Sequence, residues 1–225
     1  YAVLADVYYA FIRNNIPLPS ASKKSEDNIK KAIKIDPKNS IVITTKFWIE
    51  WDKGDAISSE VLAEEAIRSN PNEPWAIATY GWYLIINNVD QNKGKEYAGK
   101  ALQYCEHPQG WYYWSFAEYH RLNGDYKESL KFMLKTNDQP KDWYSIHIAS
   151  CNWLIGNKDI AIKEYEKLLE KNTNFNIKNY RANRFAFEGK KIIEFEDAFD
   201  SLIDYYNKLQ VLPSSATTEP RQLKN

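Results

Sequence analysis

The side chains that could do chemistry are few and scattered. Three histidines occur, His107, His120 and His147, and no two stand at the short helical spacing that gathers imidazoles around one metal ion. No carboxylate joins them in an H-E-x-x-H arrangement, so they read as structural or surface histidines. Cys105 and Cys151 form no C-x-x-C and are too few for a four-ligand zinc site, which leaves them as small core residues. The run "EFEDAFD" at 194–200 brings Glu194, Glu196, Asp197 and Asp200 together, as paired acid–base carboxylates or a cation site would require. Phe195, Ala198 and Phe199 interleave at helical spacing, however, and the carboxylates then read as the solvated face of a helix. Nucleotide-cradling and serine-hydrolase motifs are missing. The sequence therefore predicts a non-enzyme with no catalytic residue, no metal site and no cofactor.

What the chain has in excess is aromatic surface. Aromatic residues make up 15% of the 225 residues, with eight tryptophans and sixteen tyrosines, and "QGWYYWSFAEYH" at 109–120 concentrates six of them beside Glu118 and His120. Thirty basic and thirty acidic residues cancel, which supplies no field for drawing in a nucleic acid backbone or anionic lipid. The longest mostly apolar run, "WAIATYGWYLII" at 75–86, falls short of the about twenty residues a membrane crossing needs. The chain starts at Tyr1 without a signal-peptide pattern and has one methionine, Met133, which reads as a piece of a longer polypeptide. The expected compartment is the cytoplasm, or an extracytoplasmic one if the piece is attached to a membrane-spanning regulator.

The elements that must position these aromatics repeat. "NIKKAIKIDPKN" (28–39) and "VLAEEAIRSNPNE" (61–73) align Ala32 on Ala66 and Pro37 on Pro71, both at a step of 34 residues. The next equivalents, Ala101, Thr136 and Leu168, follow at steps of 35, 35 and 32. Gly54, Gly124 and Gly156 each fall between two segments of helical period, where a tight turn needs glycine. Seven residues before them stand Phe47, Ala117 and Ala149, and Gly81 holds that place in the third unit. Small residues there let two helices cross closely, with Phe47 the departure.

On these residues the chain resembles the tetratricopeptide repeat (TPR) family, whose 34-residue unit has small residues at positions 8, 20 and 27, glycine at 15 and proline at 32. Gly54, Ala66 and Pro71 match positions 15, 27 and 32 of one unit, and Gly156, Ala161 and Tyr165 match parts of another. About eight extra residues, "NNIPLPSAS", part the helices of the first unit, and "NNVDQN" stretches the third turn. The expected fold is an all-α, right-handed TPR solenoid of about five helix-turn-helix repeats over 1–172. An atypical C-terminal helical cap at 173–211 follows, with its closing helix near 188–209, and then a polar, disordered tail at 212–225. The order of parts is similar to the C-terminal TPR regions of bacterial class III adenylate cyclases and winged-helix transcriptional regulators.

In this register all eight tryptophans fall on first helices. Trp75, Trp111 and Trp143 take position 2, Trp114 position 5, Trp48 and Trp82 position 9, and Trp51 and Trp153 position 12. Positions 2, 5, 9 and 12 make one helical stripe, which the resemblance places on the concave groove where TPR partners bind. Glu118 shares the stripe, while Tyr113, Phe116, Ala117, Ile148 and Ala149 occupy the seam between paired helices. The Lys/Arg/Asn clamp with which some TPRs hold a terminal carboxylate is replaced by tryptophan, Thr44, Ala78, Glu118 and Ile146. A ligand should then be apolar or aromatic, with a basic group to meet Glu118.

The leading expectation is a protein-interaction module of a larger bacterial signalling or regulatory protein, taking a protein or peptide segment in the groove. Two alternatives stay open. One is a sensory domain for a small apolar ligand. The other is a groove filled by the closing helix, with a structural or homodimerising role.

Overall fold

A computed structural model describes residues 1–13, 17–136, 142–177 and 191–211, and among them it shows helices and no strand. The helices come in pairs: α1 (Ala2–Arg13) with α2 (Ala21–Ile35), α3 (Ser40–Asp52) with α4 (Ala56–Ser69), and α5 (Pro74–Ile86) with α6 (Gln91–Tyr104). A 3-10 turn (Gly110–Tyr113) leads into α7 (Trp114–Leu122), which pairs with α8 (Tyr126–Thr136), and α9 (Asp142–Leu154) pairs with α10 (Lys158–Lys171). Successive first helices α1, α3, α5 and α7 stack side by side, and α11 (Lys191–Val211) lies against α9 and α10. The short helix and break expected between Asn172 and the closing helix fall largely on 178–190, outside the described residues, as does the tail at 212–225.

The turns explain why the chain reverses at each glycine. Gly54, Gly124 and Gly156 take φ of 85°, 77° and 87°, a left-handed conformation in which a side chain is strained. The next residue's N–H then reaches back to the carbonyl of the residue five before it, as in Asp55 to Glu50 at 3.1 Å and Asp125 to His120 at 2.9 Å. Asp55 and Asp125 go on to cap the second helix, accepting from the N–H of Ser58 at 3.0 Å and Glu128 at 3.2 Å. In the third unit Asn88 supplies the positive φ, 54°, and one extra residue, Val89, precedes the Asp90 cap. That insertion is the stretched turn seen in the sequence.

Within each pair, positions 8 and 20 meet. Ser129 donates its hydroxyl to the Ala117 carbonyl at 2.8 Å, and Ser25 does the same to Ala5 at 2.9 Å, which fixes the register of the first unit despite its long loop. In the third unit both places are glycine. A Cβ on Gly81 would stand 2.8 Å from the Gly94 carbonyl oxygen and 2.9 Å from the Ala98 nitrogen. Since both obstacles are backbone, Gly81→Ala should force α5 and α6 apart. The expected loss is about 1–3 kcal/mol, read as a lower unfolding midpoint in urea.

The core is continuous with the aromatic stripe. Phe47, which stands where a small residue was expected, is fully buried and packs edge-on to Trp48 (5.1 Å) and Tyr83 (6.2 Å) and stacked on Trp51 (6.0 Å). The large side chain fits because two rings of its own helix and Tyr83 of the neighbouring unit enclose it. Farther along, Phe116 and His120 both stack on Phe132, at 4.9 Å and 5.5 Å, closing the α7–α8 seam.

Candidate aromatic interaction surface

The structure divides the tryptophan stripe in two. Trp48, Trp51 and Trp82 are 5%, 4% and 6% exposed, and Trp82 lies 5.0 Å from each of the other two rings. Burial on this scale comes from the tight stacking of α3 on α5 and from Phe47 and Tyr83 beneath. These three form part of the principal apolar core.

Trp75, Trp111, Trp114, Trp143 and Trp153 stay half-buried. Trp75, Trp111 and Trp114 pack on that same core. Trp111 leans edge-on toward Trp48 at 6.2 Å, although the two belong to different units, and its indole N–H donates to Gln109 Oε1 at 3.0 Å. Trp114 and Trp143 meet edge to face at 4.3 Å, joining the first helices of units four and five. Trp153 is engaged by the closing helix: Tyr205 lies 5.5 Å from it, and the Lys158 ammonium stands 5.1 Å over the Trp153 ring and 5.4 Å over Tyr205.

Glu118 is 7% exposed, within a polar group enclosed by α7, α8 and α9. Its Oε2 accepts from Arg121 Nε at 2.8 Å and from Nη2 at 2.5 Å, and its Oε1 stands 3.6 Å from His147 Nδ1. On the far side, His147 Nε2 lies 2.7 Å from Ser129 Oγ. Because Ser129 gives its single hydrogen to the Ala117 carbonyl, it accepts from His147, and Nε2 carries a proton. Burial alone would raise the Glu118 pKa, but the Arg121 charge and the hydrogen bonds from His147 and Arg121 hold it far below the usual carboxylate range. The basic group that the sequence reading sought in a ligand is thus supplied by Arg121, one turn along the same helix.

Arg121 and Ser129 were not singled out from the sequence. The one signal available was the Glu118/Arg121 spacing of three, common to many exposed helix pairs. Burial pushes the Cys151 thiol up to about 12, against a small lowering by Ser129 at 3.9 Å, so it stays a neutral core residue. Thr44, Ala78 and Ile146 on the stripe are buried. Among the described residues no group of three or more His, Cys, Asp and Glu could hold a metal ion, and no helix is long and apolar enough to cross a membrane.

Two solved structures share this architecture. YrrB, described as a TPR protein with an unusual peptide-binding site, is 13% identical, with a TM-score of 0.50 over 82% of this chain and 98% of its own. PilF of Pseudomonas aeruginosa is 12% identical, with a TM-score of 0.56 over 95% of this chain and 92% of its own. The chain therefore has the fold of a TPR solenoid. No protein-family model and no curated protein matches it.

Proposed function

We propose that the protein is a non-enzymatic interaction module that holds an apolar or aromatic peptide segment on the face carrying Trp75, Trp111, Trp114, Trp143 and Trp153. The observation behind this reading is the layering of the stripe. Half-buried Trp75, Trp111 and Trp114 sit on a rigid bed of buried Trp48, Trp51 and Trp82, and Trp143 adjoins them through Trp114, which gives large contact area with side chains already ordered by packing. Rigid aromatic anchors of this kind dominate binding energy where they occur. The YrrB likeness supports a peptide as the ligand class. Membership of a larger bacterial signalling or regulatory protein rests on the resemblance of the order of parts in the sequence alone.

Glu118 is not an anchor in this reading. Its carboxylate is engaged by Arg121, and it acts by fixing α7 against α9. A second reading, a stripe that serves only as core, draws on the burial of Trp48, Trp51 and Trp82.

Iodide quenching separates the two. Interaction predicts two emission classes in the intact chain, one quenched and one protected, whereas full protection would favour a self-filled core. An array of peptides of about ten residues rich in Phe, Tyr and Leu then tests binding. Trp111→Ala should cost about 2 kcal/mol, roughly thirtyfold in Kd, without loss of helical signal.

A further inference from the structure

The buried polar group beside the tryptophan face leaves one ring with acceptors on both sides. His147 is 3% exposed, its Nε2 stands 2.7 Å from Ser129 Oγ, and its Nδ1 stands 3.6 Å from Glu118 Oε1. A neutral imidazole has one hydrogen and one lone pair to offer them. With the hydrogen on Nε2, the Nδ1 lone pair points at a buried carboxylate. With the hydrogen on Nδ1, Ser129 must turn its own hydrogen to Nε2 and abandon the Ala117 carbonyl, 2.8 Å away, a bond that ties α8 to α7. The imidazolium alone serves both neighbours at once.

Each element packed around the ring contributes to this balance. From α7 come Glu118 and Arg121, which share the carboxylate: Oε2 accepts from Arg121 and Oε1 faces His147. Glu118 favours a charged ring, and Arg121, a like charge, opposes it. Ser129 comes from α8, and α9 itself adds Cys151, a neutral thiol 3.9 Å from Ser129. By helical spacing α10 and α11 meet the opposite side of α9, at Ile146 and Ala149, where they bring Tyr165 and Tyr206. Asp200 of α11 is half-buried.

One turn earlier on the same two first helices stand Trp114 and Trp143, edge to face at 4.3 Å. We infer that His147 is doubly protonated at neutral pH, and that its second proton, by clamping α9 to Glu118 of α7, holds Trp143 on Trp114 and keeps this end of the tryptophan face assembled. The clamp is complete while the ring carries both protons and is lost as pH rises and one of them leaves, which loosens the two indoles and weakens peptide binding. The effect on binding rests on the peptide reading above, whereas the state of the ring and of the indoles does not.

The test uses the whole chain with nitrogen-15 in its histidines, followed by NMR from about pH 6 to about pH 9, below the range in which ordinary tyrosines ionise. One of the three rings should hold both protons at pH 7 and release one by pH 9, and its signal should be missing from His147→Gln. Over the same interval the near-ultraviolet circular dichroism should change, and the tightest-binding peptide of the Phe, Tyr and Leu array should lose about tenfold in affinity. His147→Gln should remove both pH steps. His120→Gln, which alters the ring 3.4 Å from Asp125, should keep them. A His147 ring that is neutral at pH 7, or still doubly protonated at pH 9, overturns the inference, as does an aromatic signal that stays flat while the ring gives up its proton. Peptides that bind at no pH count against the peptide reading alone, because the ring and the indoles still decide this one. Should His147→Gln fail to fold, its signal is assigned in the wild type by proximity to Ser129, and the same two readings decide.

Discussion

Replacing Gly110 with alanine is expected to cost about 3 kcal/mol or more, lowering the melting temperature by roughly 6 °C or more. An added Cβ would stand 1.7 Å from the Thr136 carbonyl oxygen and 2.6 Å from its carbon. No rotamer relieves such an overlap, because both sides are backbone: the 3-10 turn would have to lift off the end of α8. That turn carries Trp111, which leans on Trp48, and leads into Trp114, which meets Trp143. The damage should therefore appear in the near-ultraviolet circular dichroism of the aromatics as well as in the melting curve. Gly124→Ala is the matched control. It has nothing within 4 Å and suffers only its positive φ of 77°, so about 1 kcal/mol is expected. A Gly110→Ala chain no less stable than Gly124→Ala would mean that the turn does not pack on α8 as described.

The paired helices were legible in the sequence because each rests on local chemistry. A glycine in left-handed conformation and a small residue at position 8 leave their marks within one repeat, and Gly54 and Ala117 stand where those rules put them. Phe47 broke the small-residue rule, and its tolerance depends on Tyr83 of α5 as well as on Trp48 and Trp51 of its own helix, a contact between units that only packing creates. The stripe at 2, 5, 9 and 12 was legible as a face of each helix, but not how much of it stays open. That depends on how closely α3 stacks on α5, a distance no periodicity encodes. Glu118 shows the same limit. Its place on the stripe followed from spacing, whereas its partner depended on rotamers and on His147, 29 residues away in sequence.

Glu118→Gln should destabilise the chain by about 3 kcal/mol, because it removes the negative charge from a buried pair and leaves the Arg121 guanidinium in place. The effect should carry a pH signature. The folded-state pKa of Glu118 is depressed, so its contribution is complete above the unfolded value of 4.5 and is lost as pH falls from there toward the folded value. Below about pH 4.5 the unfolded chain takes up a proton at this site while the folded chain still refuses it. Urea unfolding at steps from pH 7 to 3 should therefore show the gap between wild type and Glu118→Gln narrowing only in the acid range. A pH-independent gap would mean that the loss comes from packing. The double change of Glu118 and Arg121 to methionine separates charge from volume. Apolar replacement of a whole buried pair is often neutral, so the double variant should recover most of what Glu118→Gln loses. If the double variant is instead the less stable of the two, then the polar group is needed to dock α7 on α9, and its value lies in specificity of packing more than in the pair itself.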